Sequence, residues 1–509
     1  MGERVHKSLM NAEVNLLFYF LSLFLTFFSR KIFLDNLGAE FIGLTGTLNN
    51  ILGYLNLSEL GISACIGYFL FKPLQSNNRQ EIQDILSLLG FLYNRIGAVI
   101  FGGAFLVSLF FPLIFAHASL SLAIIYFAFY SFLGSSLIGY FINYRQILLS
   151  ADQKNYLVAI YYQSANLIKL ALQIFLAYHY KNLYVWVAVE FLFGILGCII
   201  LNWKINKEYP WLHVDKSRGR LLLKQYPEII TKTRQVFIHK IKDFMLVKSD
   251  EIFIFAFVSL KMVAFYGNYM LIINKTTLLF HSVLESVNAG IGNLVAENDR
   301  KKTMDVFWEL MTIRHFVAGM LCYSIYHFFE PFIALWLGKE YIIEHRILVL
   351  LIIFIYIMNS RGVVDAFNHA HGLYADVWSA WAELIINISI TIIGGVYWGI
   401  MGILLGKIVS LFFIVIFWKP YYLFKSGFRL PIAQYWNGAV RYYIISAIAF
   451  IGGSILTRYI PVSPQDGYLQ WICYSILSLI AWFIIETTLL ILFAKGARQC
   501  IQRIKHLRK

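Results

Sequence analysis

Long apolar runs recur along the whole chain and leave little sequence between them. Because an α-helix rises 1.5 Å per residue, about 18–25 apolar residues cross a hydrocarbon core of about 30 Å. About fourteen runs of this length can be recognised. They lie near residues 14–34, 44–71, 87–115, 120–142, 157–178, 183–203, 236–258, 263–287, 311–336, 347–368, 376–397, 399–418, 436–457 and 469–493. The sequence therefore predicts an all-α integral membrane protein with about 14 transmembrane helices.

The scarcity and the placement of charged residues support a membrane location. Only 14% of the residues are charged and 59% are hydrophobic, whereas soluble domains carry about 25% charged residues. The net charge of +15 is concentrated in the loop 204–235 and in the tail 495–509, a distribution typical of cytoplasmic segments. We expect a multi-pass protein with both its N-terminus and its C-terminus in the cytoplasm, in contact with membrane lipids and not with nucleic acid.

The same pattern argues against an enzyme. The longest loop, residues 204–235, is too short for a soluble catalytic domain. The sequence has no P-loop for ATP and no Gly-rich dinucleotide turn, and its histidines and cysteines show no metal-ligand spacing. We predict a transporter without catalytic residues, metal or cofactor.

A weak internal repeat suggests two halves. The sequence KIF at 31–33 matches EIF at 251–253, and SACIG at 63–67 matches NAGIG at 288–292. Two matches this short can also arise by chance. If they are real, six spans separate the copies, so the halves keep one orientation, as in transporters built from parallel repeats with a site between them. The predicted parts are an N-terminal lobe at 1–203, a basic cytoplasmic linker at 204–235, a C-terminal lobe at 236–425, and two further spans with a basic tail at 426–509.

Five stretches carry a family resemblance: SRKIFLDNLG at 29–38, LSELGI at 57–62, LSADQKNY at 149–156, KSDEI at 248–252, and the segment 372–420. In these residues the chain resembles the polysaccharide-unit (O-antigen type) flippases of the MOP exporter superfamily. The resemblance implies a MATE/MOP-like fold of two six-helix lobes plus two C-terminal helices. It also implies a location in the bacterial inner membrane.

The resemblance further implies a cargo and a mechanism. An undecaprenyl-diphosphate-linked oligosaccharide would move from the cytoplasmic to the periplasmic leaflet by alternating access, for the synthesis of O-antigen or capsule-like surface polysaccharide. Polysaccharide polymerases and other assembly proteins are the implied partners, and we expect the protein to function as a monomer.

The sequence argues against three other functions. Lipid II flippases of peptidoglycan synthesis resemble the chain around Glu59, but they usually carry more arginines in the first two spans, and none occurs here between Gly43 and Phe71. MATE multidrug exporters share the expected fold, but a cation-rich interior would repel their cationic drugs. A membrane glycan polymerase or ligase would need a large periplasmic loop, whereas the outward loops near 336–347 and 458–468 are short.

Cations inside or beside apolar runs are the candidates for substrate binding. A lysine near the bilayer centre costs about 2.5–3.5 kcal/mol, so such residues usually face a cavity or a partner. A diphosphate cargo needs them, because Lys and Arg bind phosphate oxygens. The predicted cavity cations are Lys275, Lys248, Arg30, Lys31 and Lys242. Four of them have a structural alternative. Lys275 can pair with Glu285 or Asp250, Arg30 and Lys31 can reach the interface, and Lys242 can lie in the cytoplasm.

Carboxylates in the spans are the candidates for coupling to Na⁺ or H⁺, since an ion site within the membrane needs such a group. They are Asp250, Glu251, Glu59 and Glu383. For Glu59 and Glu383 a hydrogen-bonded structural role is the alternative. Arg95, Lys169 and Lys407 are weaker candidates, because the sequence shows no partner for them.

Overall fold

The computed structural model describes residues 2–56, 62–229, 233, 249–285, 291, 294–295, 297, 299–373 and 376–507. The regular secondary structure in these ranges is helical, with no β-strand among the described residues. The chain divides into two compact units, Met1–Gly267 (unit 1) and Asn268–Lys509 (unit 2). The predicted lobe and linker boundaries at 203 and 235 stay predictions.

Unit 1 consists of helices that range in length from four to 36 residues. Its helices are α1 (Gly2–Leu37), α2 (Ala39–Leu55), α3 (Ile62–Gln75), α4 (Arg79–Leu109), α5 (Phe111–Ile114), α6 (Leu122–Phe141), α7 (Gln146–Ala151), α8 (Asn155–Val158), α9 (Ser164–Tyr180), α10 (Leu183–Glu208), α11 (Gly219–Gln225) and α12 (Asp250–Phe257). The next helix, α13 (Leu260–Glu285), begins in unit 1 and continues into unit 2.

Unit 2 continues in the same way. Its helices are α14 (Arg300–Trp336), α15 (His345–Ser360), α16 (Gly362–Ala370), α17 (Val377–Trp398), α18 (Ile400–Leu411), α19 (Lys419–Tyr422), α20 (Ile432–Leu456), α21 (Tyr468–Phe493) and α22 (Lys495–Leu507). Two π-helical turns, Phe412–Trp418 and Leu423–Phe428, flank α19, so the helix runs on with local widening from 400 to 428.

Ten helices in the described ranges are long and apolar enough to cross a membrane, and each overlaps one predicted span. The other four predicted spans have different outcomes. The run 44–71 corresponds to α2 and α3, the run 157–178 to α8, a π-turn and α9, and the run 263–287 to α13. Most of the run 236–258 lies outside the described residues.

Large apolar side chains on exposed helix faces indicate contact with lipid and not with water. On α1, Leu16, Leu17, Phe20, Phe24 and Phe28 are all exposed on one helix. A face of this kind is unfavourable in water and is typical of contact with lipid. The protein is therefore a multi-pass membrane protein.

Glycines allow the closest helix contacts inside each unit. A Cβ added at Gly43 of α2 would lie 1.8 Å from the Leu260 carbonyl oxygen at the start of α13. A Cβ at Gly402 of α18 would lie 2.0 Å from the carbonyl carbon and oxygen of Gly394 in α17. Small residues are the usual means of close packing between membrane helices, because apolar side chains gain little from leaving lipid.

The first part of the basic loop 204–235 packs against unit 1. Lys216 Nζ donates to the Asn94 Oδ1 and to the Phe141 carbonyl oxygen, each at 3.1 Å. Arg218 Nη1 lies 3.1 Å from Asp84 Oδ1 on α4. The sequence predicts a topology signal and contact with lipid headgroups for this loop, and these contacts give two of its cations a structural role as well.

Candidate functional site

Two acidic residues open α12, and the structure buries the first of them. Carboxylates are favourable in the first turn of a helix, where the backbone dipole is positive. Asp250 is only 4% exposed, and its Oδ2 accepts a 2.7 Å hydrogen bond from the Tyr266 hydroxyl on α13. This contact fixes the start of α12 against the second turn of α13.

Glu251 faces a different helix. Its Oε2 accepts a 2.5 Å hydrogen bond from Asn50 Nδ2 on α2. A Cβ at Gly46, one turn before Asn50, would lie 3.1 Å from the same oxygen. A residue larger than glycine at position 46 would therefore crowd the Glu251 carboxylate.

Arg30 reaches the same part of the unit from α1. Its Nη2 donates a 3.0 Å hydrogen bond to the Ala264 carbonyl oxygen on α13, and a Cβ at Gly267 would lie 3.2 Å from that nitrogen. Arg30 is half-buried, whereas the neighbouring Lys31 is exposed. We call Arg30, Asn50, Asp250, Glu251 and Tyr266 the α13 cluster. It brings one predicted cation and two predicted carboxylates to the beginning of one helix.

Lys275 lies farther along α13, in unit 2. It is half-buried, and Asn268, seven residues before it, is fully buried. The seven-residue spacing puts both on one helix face. Ser282 would extend this polar face by another seven residues, and Glu285 is the predicted partner of Lys275, but both side chains lie outside the described residues. Lys242, Lys248 and Glu59 lie outside them as well. Their predicted roles stay predictions.

A buried polar stripe runs along α17 in unit 2. Its members follow one another at intervals of four residues, and each is at most 4% exposed: Ser379, Glu383, Asn387 and Thr391. The Thr391 hydroxyl donates a 3.0 Å hydrogen bond to Asn387 Oδ1. Glu383 Oε1 has no hydrogen-bond partner among the described residues. A buried polar atom without such a partner is unfavourable, which makes Glu383 the least satisfied member of this stripe.

The sequence did not single out the network at the start of this stripe. Asp376 Oδ2 accepts hydrogen bonds from Lys419 Nζ at 2.7 Å, from the Ser379 hydroxyl at 3.0 Å and from Trp418 Nε1 at 3.1 Å. Burial by itself would raise the pKa of Asp376, but the charge and hydrogen bond of Lys419, together with the other two donors, hold that pKa below its ordinary value. The i, i+3 spacing of Asp376 and Ser379 was the only sequence signal for it.

Three weaker candidates can now be placed. The sequence shows no partner for Lys169, but the structure does: its Nζ lies 2.6 Å from Glu190 Oε1, and Gln173 Nε2 donates to the other carboxylate oxygen at 3.0 Å. The pair joins α9 to α10, so it is structural. The Lys407 Nζ lies 4.9 Å from the centre of the Phe354 ring, and the Arg95 guanidinium lies 4.6 Å from that of Phe91.

Comparisons with known proteins identify the fold. No family model matches the sequence, and no curated protein matches it. Among solved structures, the chain is similar to the lipid II flippase MurJ in an inward closed conformation, with a TM-score of 0.66 and 15% identity over 97% of this chain and 100% of that one. It is also similar to an inward-facing multidrug resistance MATE family transporter of the MOP superfamily, with a TM-score of 0.55 and 14% identity over 79% and 93% of the two chains.

These likenesses define a class. The protein has the all-helical fold of the MOP-type transporters, as the sequence predicted. At 14–15% identity the likeness extends to the fold and not to the cargo. The refinement to an O-antigen type flippase is therefore argued below as a proposal.

Proposed function

We propose that this protein is a flippase that moves an undecaprenyl-diphosphate-linked oligosaccharide from the cytoplasmic to the periplasmic leaflet of a bacterial inner membrane by alternating access. One observation carries the proposal more than any other: the fold likeness to a lipid II flippase extends over 97% of this chain and all of the other. A whole-length match includes the C-terminal helices α20 and α21, whereas the match to the MATE transporter covers 79% of this chain.

The in-span cations fit a cargo with an anionic headgroup. Arg30 is half-buried in unit 1, where it donates to a backbone carbonyl of α13, and Lys275 is half-buried on the same helix in unit 2. Such residues are costly in a bilayer unless they serve a partner or a cavity. A diphosphate passing through the protein would supply a partner for part of the cycle, since Arg and Lys both bind phosphate oxygens well.

Carboxylates within the helices suit a coupled ion. Asp250, Glu251 and Glu383 are the described candidates, and Glu383 combines 1% exposure with an oxygen that lacks a hydrogen-bond donor in the described ranges. We propose that Na⁺ or H⁺ binding at one of these carboxylates drives transport, because a membrane potential of 100 mV supplies about 2.3 kcal/mol per charge. We further propose a transporter without enzymatic activity that works as a monomer beside polysaccharide assembly proteins.

The second candidate function is lipid II transport, because the similar structure over the whole chain is that of a lipid II flippase. Both functions require a lipid-linked cargo, so the fold does not separate them. A cationic-drug exporter is the remaining alternative, suggested by the second structure.

The test starts from deletion of the gene and analysis of surface polysaccharide. We expect loss of surface glycan, with lipid-linked units retained on the cytoplasmic leaflet. Normal surface glycan would refute the proposal. Rescue of growth in cells depleted of their lipid II flippase, with surface glycan unchanged, would assign lipid II instead. A change in drug resistance alone would assign drug export.

Complementation with variants then tests the cationic mechanism. At equal membrane expression, Arg30→Ala and Lys275→Ala should each lower surface glycan at least 10-fold. The matched controls are Arg346→Ala, in the first turn of α15, and Lys339→Ala, at the start of the 3-10 turn Lys339–Tyr341, which both remove exposed cations. If both in-span variants transport like their controls, these cations do not serve the cargo.

A further inference from the structure

A cavity of about 490 Å³ lies inside unit 1, between the end of α2, the first half of α4, the end of α6, and the short helices α7 and α8. This volume falls within the range of about 300–1,000 Å³ that small-ligand sites usually have. None of the charged candidates described above lines it. The cavity is therefore separate from the α13 cluster.

One wall of the cavity is aromatic and rigid. It is formed by Tyr93, Tyr140 and Tyr144, each at most 6% exposed. The Tyr93 ring meets the Tyr140 ring edge to face, with centroids 5.4 Å apart, and the Tyr144 ring at 6.4 Å. Lys216 holds Tyr144 by placing its Nζ 4.8 Å from that ring's centre. These contacts restrict the rotation of the rings, so the wall is formed before any ligand arrives.

The remaining polar lining is neutral. Amide and hydroxyl side chains come from Asn56, Ser136, Gln146, Ser150 and Asn155. Asn56 Nδ2 donates to Ser136 Oγ at 3.2 Å, and Ser150 Oγ donates to Asn155 Oδ1 at 3.1 Å. Each amide offers two donor hydrogens and two acceptor lone pairs, so these pairs keep capacity for a ligand. Gln146 makes no side-chain hydrogen bond within the described ranges, and none of the described lining residues is charged.

This chemistry excludes several classes of ligand. A phosphate or carboxylate would be held by Arg or Lys, and a cationic drug by carboxylates. An acyl chain would not need five amide and hydroxyl side chains. A sugar fits both parts of the lining, because its C–H face packs on aromatic rings and its hydroxyls exchange hydrogen bonds with amides and alcohols.

The position of the cavity suits a ligand from the cytoplasm. The sequence predicts that residues 143–155 are cytoplasmic, and Tyr144, Gln146, Ser150 and Asn155 of this segment line the cavity. A glycan built in the cytoplasm would meet unit 1 at this end.

We propose that this cavity is a saccharide-binding subsite that holds a short, uncharged part of the cargo glycan while the diphosphate is bound elsewhere. The assignment of its ligand to the cargo rests on the proposed flippase function. The binding of a neutral saccharide can be tested without transport.

Gly139 of α6 offers a variant that fills the cavity without disturbing the helix. It lines the cavity, and a Cβ added there meets no atom within 4 Å. The Cβ of Gly139→Leu therefore has room, and we expect the rest of the side chain to take up ligand space. Leucine is also a better helix former than glycine by about 0.5–1 kcal/mol. Gly102 of α4 is the matched control, because it is helical, exposed and equally unobstructed, but does not line the cavity. Gln146→Ala removes one unengaged amide.

The probes are free chitotetraose and maltotetraose, with tetragalacturonate as the acidic comparison. The protein is reconstituted in nanodiscs, so that no sugar detergent competes, and binding is measured by saturation-transfer NMR with titration. We expect a neutral tetrasaccharide to bind wild type and Gly102→Leu equally and at least 10-fold tighter than the acidic one. Gly139→Leu should weaken binding at least 10-fold, and Gln146→Ala about 3–10-fold, the equivalent of one hydrogen bond.

The outcomes separate the two proposals. Absence of neutral-sugar binding to wild type, or equal binding to Gly139→Leu and Gly102→Leu, overturns the saccharide subsite. If Gly139→Leu abolishes sugar binding while deletion of the gene leaves surface glycan normal, the subsite stands and the flippase function fails. In cells, a loss of surface glycan with Gly139→Leu but not with Gly102→Leu supports both.

Discussion

The contact between α17 and α18 should not tolerate even one methyl group at Gly402. A Cβ there would lie 2.0 Å from the carbonyl carbon and oxygen of Gly394. Carbon–oxygen contacts between helices are normally about 3.3–3.6 Å, so the helices must separate locally by at least about 1.3 Å. The obstruction is backbone, which cannot rotate away as a side chain can. Gly402→Ala therefore forces the whole helix pair to adjust.

The expected cost follows from two opposing effects. Overpacking a close contact typically costs about 1–3 kcal/mol, and we expect the upper end because the neighbour is backbone. Alanine regains at most about 1 kcal/mol through its helix propensity. Gly402→Ala should thus lower the free energy of unfolding by about 2 kcal/mol. The control Gly102→Ala meets no atom within 4 Å and should raise it by up to about 1 kcal/mol.

Thermal and denaturant unfolding in matched bicelles, followed by the fluorescence of the twelve tryptophans, measures this difference. The two variants should differ by about 3 kcal/mol. If Gly402→Ala is as stable as Gly102→Ala, the backbone of α17 does not approach α18 this closely. The argument from glycine packing would then be refuted.

Three further predictions concern hydrogen-bonded carboxylates. Asp376→Asn should cost about 2–3 kcal/mol near neutral pH, because it weakens a charge-assisted contact. Since the folded pKa of Asp376 is lowered, this stabilisation is complete above the ordinary value of about 3.9 and is lost as the pH falls through the folded pKa. Unfolding of both proteins between pH 3 and 8 should show a difference that is constant above about pH 5 and shrinks below pH 4. A difference that grows on acidification would contradict this sign. Lys169→Met and Glu190→Gln should each destabilise the protein by about 1–3 kcal/mol, and the double variant should lose less than the sum of the two. A double-mutant cycle of unfolding free energies measures this difference. Additive losses would mean that the 2.6 Å pair contributes no coupling energy. Tyr266→Phe should lower the free energy of unfolding by about 1–3 kcal/mol, because it removes the hydroxyl that donates to buried Asp250. An unchanged melting temperature would argue against that contact.

The sequence predicted the helices of this protein better than the partners of its charges. Apolar runs of membrane-spanning length are a local property, and ten described helices match predicted spans. The pairing of Lys169 was missed, because Glu190 lies on the next helix and no periodicity connects the two positions. For Glu383 the sequence showed Asn387 one turn on, and the structure extends this pair into a buried stripe.

For the candidate sites too, single residues were predictable from the sequence, whereas their spatial arrangement was not. Arg30, Asp250 and Glu251 were recognisable as ionisable residues in apolar surroundings, a property each position has by itself. Their convergence on the start of α13 joins positions more than 200 residues apart, which no local pattern specifies. The neutral cavity in unit 1 was not foreseen, because its amides, hydroxyls and tyrosines are unremarkable singly.

By itself, the sequence determined that this chain lies in a membrane and gave the approximate limits of ten of its long helices. The reason is that a bilayer requires each span to satisfy its own backbone hydrogen bonds and to present an apolar surface, and both requirements are written in consecutive residues. Only the tertiary structure decided which polar groups meet inside each unit. Within lipid, close glycine contacts and a few hydrogen bonds determine which helices pack together. These contacts depend on the positions of helices from distant parts of the chain and not on any single stretch of it.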